Sequence, residues 1–361
     1  MKVDGQHYQS IWYDELTDSV RCIDQTKLPH EFVILELNSL DVTCHAILSM
    51  QVRGAPLIGI TAAYGLYLAL KSDPASYLDA RDALLKTRPT AVNLKWALER
   101  MDANCQGVDS ERLAEVALAT ARELEQQDRQ VCESIGDHGA LLLRSLWESK
   151  GSPEPLNVLT HCNAGWLATV DWGTALAVIY KASDLGVPLH VWVDETRPRN
   201  QGASLTCWEL GKHGIDHTLV VDNVGGHLMQ HGQVDVCVVG SDRCTKTGDV
   251  CNKIGTYLKA LAAFDNDIPF YAALPISSID FLMRDGIAEI PIEIRSADEV
   301  THLSGLSDRG LVEMIRLTPA NVKVYNVGFD VTPARLITGI ITEKGVYAAN
   351  EAELSGLERE A

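Results

Sequence analysis

Paired cysteines, long apolar runs and a surplus of positive charge are all missing from this 361-residue chain. Its nine cysteines stand at 22, 44, 105, 132, 162, 207, 237, 244 and 251, an odd number with no C-x-x-C pair. Several sit in apolar runs such as Val236-Cys237-Val238. That pattern predicts reduced thiols in a cytoplasmic protein, with neither a disulfide framework nor a zinc site. No stretch reaches the roughly 18 uninterrupted apolar residues that cross a bilayer. The opening MKVDGQHYQS lacks the apolar core of a secretory signal, so no membrane partner is expected. A formal charge of −18 excludes the basic surface of a nucleic-acid binder. A phosphorylated substrate stays possible, provided Arg, Lys or a helix N-terminus meets the anion inside one cleft. Neither G-x-G-x-x-G nor G-x-x-x-x-G-K-[ST] occurs, which counts against a nicotinamide dehydrogenase and against a P-loop enzyme.

What is present is globular: 46% hydrophobic and 22% charged residues, enough for two domains or one large α/β domain. Gln9–Tyr13 and Val20–Asp24 are short β-prone runs separated by a turn over 14–19. From 40 to 148 the periodicity is helical. Residues 58–70 are apolar nearly all round, which predicts a buried helix serving as core or dimer interface. Residues 111–147 carry apolar side chains at helical spacing as one long or broken helix. After Gly151-Ser152-Pro153 the pattern alternates. Strands are predicted over 156–161, 188–194, 217–222, 234–240 and 269–274, with helices over 174–183, 202–212, 225–231 and 256–264. Apolar strands separated by helices indicate a parallel sheet covered on both faces. The fold expected is α/β: a smaller domain of short strands and helices over 1–125, then a Rossmann-like doubly wound domain over 126–361. The change falls within 115–150.

Open α/β sheets bind ligands at the carboxyl ends of their strands. Here those ends read His161-Cys162-Asn163-Ala164-Gly165, Asp194-Glu195-Thr196-Arg197-Pro198 with Gln201-Gly202, and Ser241-Asp242-Arg243 followed by Asn252-Lys253-Ile254-Gly255. A thiol, a carboxylate, amides and cations would converge on one crevice. Arg53-Gly54-Ala55-Pro56, ahead of the buried helix, would add a cation and free backbone N–H groups. Each residue also has a plainer reading. Cys162 alone is an ordinary buried thiol, His161 a satisfied structural histidine, and Asp242-Arg243 an ion pair or helix cap. Asp194 and Arg197 read as structural, and Arg88-Pro89-Thr90 as a helix start capped by Thr90.

Taken together, the blocks resemble a known motif set. Arg53-Gly54-Ala55-Pro56-x-Ile58-Gly59, Arg88-Pro89-Thr90-Ala91-Val92-Asn93-Leu94, Thr160–Gly165, Asp194–Pro198, Gly240-x-Asp242-Arg243, Asn252–Thr256 and Phe329–Pro333 run in the order found in methylthioribose-1-phosphate isomerases. That family is related to subunits of a translation-initiation guanine-nucleotide exchange factor. The resemblance implies a homodimeric isomerase of methionine salvage, converting 5-methylthioribose 1-phosphate into 5-methylthioribulose 1-phosphate without cofactor or metal. It places the catalytic pair on Cys162 and Asp242. Substrate binding falls on Arg53, Gly54, Ala55, Arg88, Gln201, Asn252 and Lys253. The chain departs from the family pattern at Trp166, Asn200, Ser204 and Val327, where a small residue, an apolar one, an Arg and a Pro are usual. Trp166 either lines the pocket around the sugar C5 or turns into the core. Rival readings are a 5-deoxyribose 1-phosphate or ribose 1,5-bisphosphate isomerase, and a non-catalytic regulatory subunit.

The chemistry explains why such residues are needed. An aldose 1-phosphate is locked as an acetal-type ester and cannot open to an aldehyde. An acid must protonate the ring oxygen, and hydrogen must then pass from C2 to C1. Asp242 is the expected acid, if burial raises its pKa, and Cys162 the base or polarisable stabiliser. Arg53, Arg88 and Lys253 would hold the phosphate.

Overall fold

The computed structural model describes residues 1–88 and 91–359. The cap expected at Thr90 lies outside them; the helix itself runs Val92–Cys105.

The chain opens with a short hairpin of Lys2–Val3 and Gln6–His7. An antiparallel sheet follows, of strands Ile11–Asp14, Ser19–Ile23 and Ile34–Leu37. Five helices come next: Leu40–Leu48, Ala55–Ser72, Tyr77–Thr87, Val92–Cys105 and Ser110–Lys150. Ala55–Ser72 is buried at every position from Leu57 to Leu70, because the other helices wrap it on all sides. This fits its unbroken apolar sequence. The dimer-interface reading of 58–70 is therefore corrected: its apolar surface is core, covered by its own chain.

The helix Ser110–Lys150 is unbroken, about 60 Å long at 1.5 Å per residue, and stops at Gly151 in left-handed conformation (φ 62°). Its first half sends Leu113, Ala117, Ala121 and Leu124 into the core of the N-terminal helices. Its second half sends Ile135, Ala140 and Leu143 against the helix Ala175–Asp184 and the large sheet. Met1, Val3, Ile23 and Leu28 belong to this second core, so the opening residues pack across onto the larger unit.

The large sheet has seven strands. From one edge they run Gly345–Tyr347, Gly339–Thr342, Phe270–Ala273, Val236–Val239, Leu156–Thr160, Leu189–Asp194 and His217–Val220. All pairs are parallel except the first hairpin. Numbered along the chain, the six parallel strands lie in the order 3-2-1-4-5-6. The order reverses between Leu156–Thr160 and Val236–Val239, which marks the crevice where such sheets take ligands. The predicted strands and helices recur within a residue or two, except that 202–212 is a π-type turn, Gly202–Thr206, leading into the helix Cys207–His213.

A second sheet was not foreseen. Its strands are Ile279–Asp280, Arg243–Thr245, Val250–Lys253 and Phe329–Thr332, in that order. It folds over the carboxyl end of the large sheet, so Asn252 and Lys253 lie on a strand rather than in a loop. A separate hairpin, His302–Leu306 with Val312–Arg316, leaves Leu306, Val312, Met314 and Ile315 exposed. Among the described residues no helix is long and apolar enough to cross a membrane.

Candidate active site

One cavity opens at the switch point, roofed by the start of the helix Ala55–Ser72 and by the second sheet. All nine residues singled out in the sequence line it: Arg53, Gly54, Ala55, Arg88, Cys162, Gln201, Asp242, Asn252 and Lys253. They come from distant parts of the chain. Cys162 follows the first parallel strand and Asp242 the fourth, so the reversal of strand order sets them on either side of the crevice.

The helix end supplied by Gly54 is open. Gly54 adopts φ 99° and no side chain caps the helix among the described residues, with Pro56 in its first turn. A Cβ at Gly54 would fall 2.5 Å from Ala168 Cα, so glycine is demanded both by conformation and by space. The uncapped first-turn N–H groups and the helix dipole favour an anion there.

Arg53 is buried and aimed by Asn163. Its Nη1 donates to Asn163 Oδ1 and its Nη2 to Asn163 O at 2.5 Å. Asn163 Nδ2 in turn donates to Glu209 Oε1 at 2.9 Å and to Thr206 Oγ1 at 3.2 Å. Glu209 also accepts from the backbone of Trp166 and Leu167 and from the Tyr180 hydroxyl. This buried carboxylate carries no motif signal, and sequence reasoning missed it. Arg88 comes from the N-terminal unit and pairs with Glu293 at 3.0 Å.

Cys162 holds a left-handed conformation (φ 69°), as does Thr196 (φ 63°). The two are tied together: Cys162 N donates to Thr196 Oγ1 at 2.8 Å, and Thr206 Oγ1 donates to Cys162 O at 2.7 Å. Strain of this kind, held by its neighbours, is common where function fixes a side chain. The thiol donates to Gln201 Oε1 at 3.2 Å. Burial raises the Cys162 pKa, opposed by Lys253 and then Arg53.

Asp242 is anchored by its backbone N–H to Cys251 O at 2.9 Å. Burial raises its pKa above the ordinary value, against the pull of Lys253, Arg88 and Arg53. Asp242 is half-buried and lines the cavity. Burial lowers the Lys253 pKa, while Cys162 and Asp242 draw it back up. Its ammonium stands 4.3 Å over the Phe329 ring. Asn252 Nδ2 donates to Thr256 Oγ1 at 3.1 Å.

The residues that depart from the family pattern stay outside the cavity lining. Trp166 is 1% exposed and packs beside Trp208, with ring centroids 6.0 Å apart. Of its two readings, core is correct. Asn200 and Ser204 do not line the cavity either. Apolar wall comes instead from Met50, Ile58, Ile290, Pro291 and Phe329. Arg197 is engaged by the carbonyls of Pro198 and Val300. Behind the loop that bears Cys162, His161, Asp194 and Asp222 bring ligand-type atoms within 4.8 Å of one another. The Lys259 ammonium, 3.2 Å from Asp194, already supplies positive charge there.

Residues 51–349 match the initiation factor 2 subunit family. A methylthioribose-1-phosphate isomerase of Methylocella silvestris is 56% identical over 362 residues, covering 100% of this chain and 99% of the relative. Among solved structures, a 5-methylthioribose 1-phosphate isomerase of Pyrococcus horikoshii superposes with TM-score 0.84 at 37% identity, covering 99% of this chain and 97% of the other. A protein of A. fulgidus described as translation initiation factor eIF-2B subunit delta superposes at 0.80 with 38% identity, covering 97% and 99%. The chain belongs to the methylthioribose-1-phosphate isomerase family, within the wider initiation factor 2 subunit family.

Proposed function

We propose that this protein isomerises 5-methylthioribose 1-phosphate to 5-methylthioribulose 1-phosphate in methionine salvage. The observation that carries the reading is the meeting of Cys162 and Asp242 with Arg53, Arg88 and Lys253 in one cavity. The phosphate dianion binds Arg53, Arg88, Lys253 and the open end of the helix Ala55–Ser72. Asp242, whose pKa burial raises above the ordinary carboxylate value, delivers its proton to the ring oxygen as the C1–O4 bond breaks. Hydrogen then passes from C2 to C1, and the C2 hydroxyl proton returns to the Asp242 carboxylate. Atoms and charge balance without a cofactor. Cys162 borders the reacting carbons as a thiol that Lys253 and Arg53 bias toward thiolate.

The apolar wall of Met50, Ile58, Ile290, Pro291 and Phe329 suits an uncharged 5-substituent and disfavours a second phosphate. A regulatory subunit would have no use for the paired acid and thiol. The test is proton NMR of purified protein with ribose 1-phosphates bearing methylthio, hydrogen or phosphate at C5. Loss of the anomeric signal fastest with the methylthio sugar supports the reading; turnover of none of them overturns it. We further propose two domains, residues 1–125 and 126–361, and a homodimer in the cytoplasm. Light scattering that gave the 39.5 kDa monomer alone would sink the dimer.

A further inference from the structure

His161 stands next to Cys162 but faces away from the cavity, and the reaction as written gives it no part. Its side chain is fully buried between two hydrogen-bond acceptors. Nδ1 lies 2.8 Å from Asp194 Oδ2, and Nε2 lies 2.8 Å from the carbonyl of Ile254. A neutral imidazole has one donor and one acceptor. The Ile254 carbonyl can only accept, so Nε2 carries hydrogen. The contact with Asp194 then needs one more proton, on Nδ1 or on the carboxyl group.

The surroundings decide which. Lys259 Nζ lies 3.2 Å from the same Asp194 Oδ2, and an ammonium there favours an ionised carboxylate. Asp222 Oδ1 adds negative charge 4.0 Å from Nδ1. Burial raises the Asp330 pKa on balance, opposed first by the backbone N–H groups of Gly255 and Tyr257 and then by His161 and Lys259. Asp194 and Asp222 thus face His161, and Lys259 bears on the same Asp194 oxygen.

We propose that His161 is a positioning residue: a ring protonated on both nitrogens that clips the Cys162 loop to the end of the strand bearing Lys253. Ile254 follows Lys253 directly, and Cys162 follows His161, so the ring joins the two chain segments whose side chains meet in the cavity. Charge-assisted bonds are about twice as strong as neutral ones, which suits a clip. Gly255 is shaped to admit it: φ is 104°, and a Cβ there would fall 3.0 Å from His161 Cε1. Asp330 fixes the same turn by accepting from Gly255 N at 2.7 Å and Tyr257 N at 3.1 Å. The role rests on the assignment of Cys162 and Lys253 to the catalytic site; the protonation of the ring does not.

The test has two arms. Nitrogen-15 spectra of histidine-labelled enzyme at neutral pH, assigned by loss of the signal in His161→Gln, read the ring directly. Both nitrogens in the protonated range are expected; a neutral Nε2–H ring overturns the proposal whatever the enzyme's activity. His161→Asn keeps a donor toward Asp194 and severs the bond to Ile254. Misplacing a reacting group by about 1 Å costs up to about 100-fold. In His161→Asn, kcat should fall about 10- to 100-fold while KM changes less than about threefold, and Cys162 should be alkylated more slowly as Lys253 moves away. An unchanged kcat in a folded variant overturns the clip. If the variant fails to fold, Gly255→Ala, which crowds the ring from the other side, takes its place with the same expected split. An enzyme in which Cys162→Ser is fully active would defeat the catalytic assignment instead, and would leave the spectroscopic result standing.

Discussion

Glu209 holds Arg53 at one remove: its Oε1 accepts from Asn163 Nδ2 at 2.9 Å, and Asn163 accepts both terminal nitrogens of Arg53. A buried carboxylate behind an amide behind a guanidinium fixes the direction in which Arg53, the cation proposed to bind phosphate, points. Four hydrogens converge on Glu209, from Asn163, Trp166, Leu167 and Tyr180. In Glu209→Gln, an amide NH2 faces donors in place of one carboxylate oxygen. The expected cost is about 1–3 kcal/mol of stability. The loss should appear as a lower melting temperature, together with weaker binding of inorganic phosphate measured by calorimetry. Unchanged phosphate binding would show that Arg53 needs no such backing.

Asp242 is the group whose removal should strike the chemical step. Asp242→Asn keeps the shape but cannot deliver a proton, and acid catalysis contributes about 10²–10⁴-fold. kcat should fall within that range, with phosphate still bound. The wild-type pH profile follows from the raised pKa. The active form is protonated, so kcat/KM should decline as pH rises through the Asp242 pKa. That pKa lies above the ordinary carboxylate value because burial disfavours the charge. The alkaline decline should vanish from the residual activity of Asp242→Asn; a variant that retains it would assign the limb to another group.

Much of this site is legible in the sequence because parallel strands announce themselves. Val236–Val239 is buried at all four positions, and its continuous apolar run points to the chain that follows as the ligand end. The same rule locates Cys162 and Asp242. The second sheet was hidden because its strands are two to four residues long and pair across great sequence distance, Asn252 with Asp330 and Cys244 with Ile279. Neither local propensity nor spacing encodes such pairings. Glu209 was hidden for a related reason. Its position in a helix after a π-type turn is unremarkable until Asn163 folds over it. The dimer argument from 58–70 misfired because apolar surface in a sequence does not reveal whether the same chain covers it.

Trp166 tests the boundary between core and pocket. The indole is 1% exposed and lies among the buried side chains of the second core. Trp166→Ala should cost about 3–5 kcal/mol through the cavity it leaves. Its effect on substrate choice should be nil: the ratio of kcat/KM for the methylthio and 5-deoxy sugars should stay within about twofold of wild type. A ratio shifted tenfold would put the ring back in contact with the C5 substituent.

Cys162 offers the most direct reading of the occupied site. Cys44 and Cys207 are partly exposed, whereas Cys162 is 8% exposed and lines the cavity. Burial raises the pKa of all three thiols, and for Cys162 Lys253 and Arg53 work against that rise. The thiolate is the reactive form, so access and charge compete. Peptide mapping after timed iodoacetamide treatment should find Cys44 and Cys207 modified first and Cys162 later. Inorganic phosphate should slow Cys162 further, by neutralising the two cations that favour its thiolate and by filling the entrance. The rates at Cys44 and Cys207 should not change, which makes them internal controls in the same digest. Cys162 modified at an equal rate with and without saturating phosphate would separate the thiol from the anion site, and the shared-cavity mechanism would fail with it.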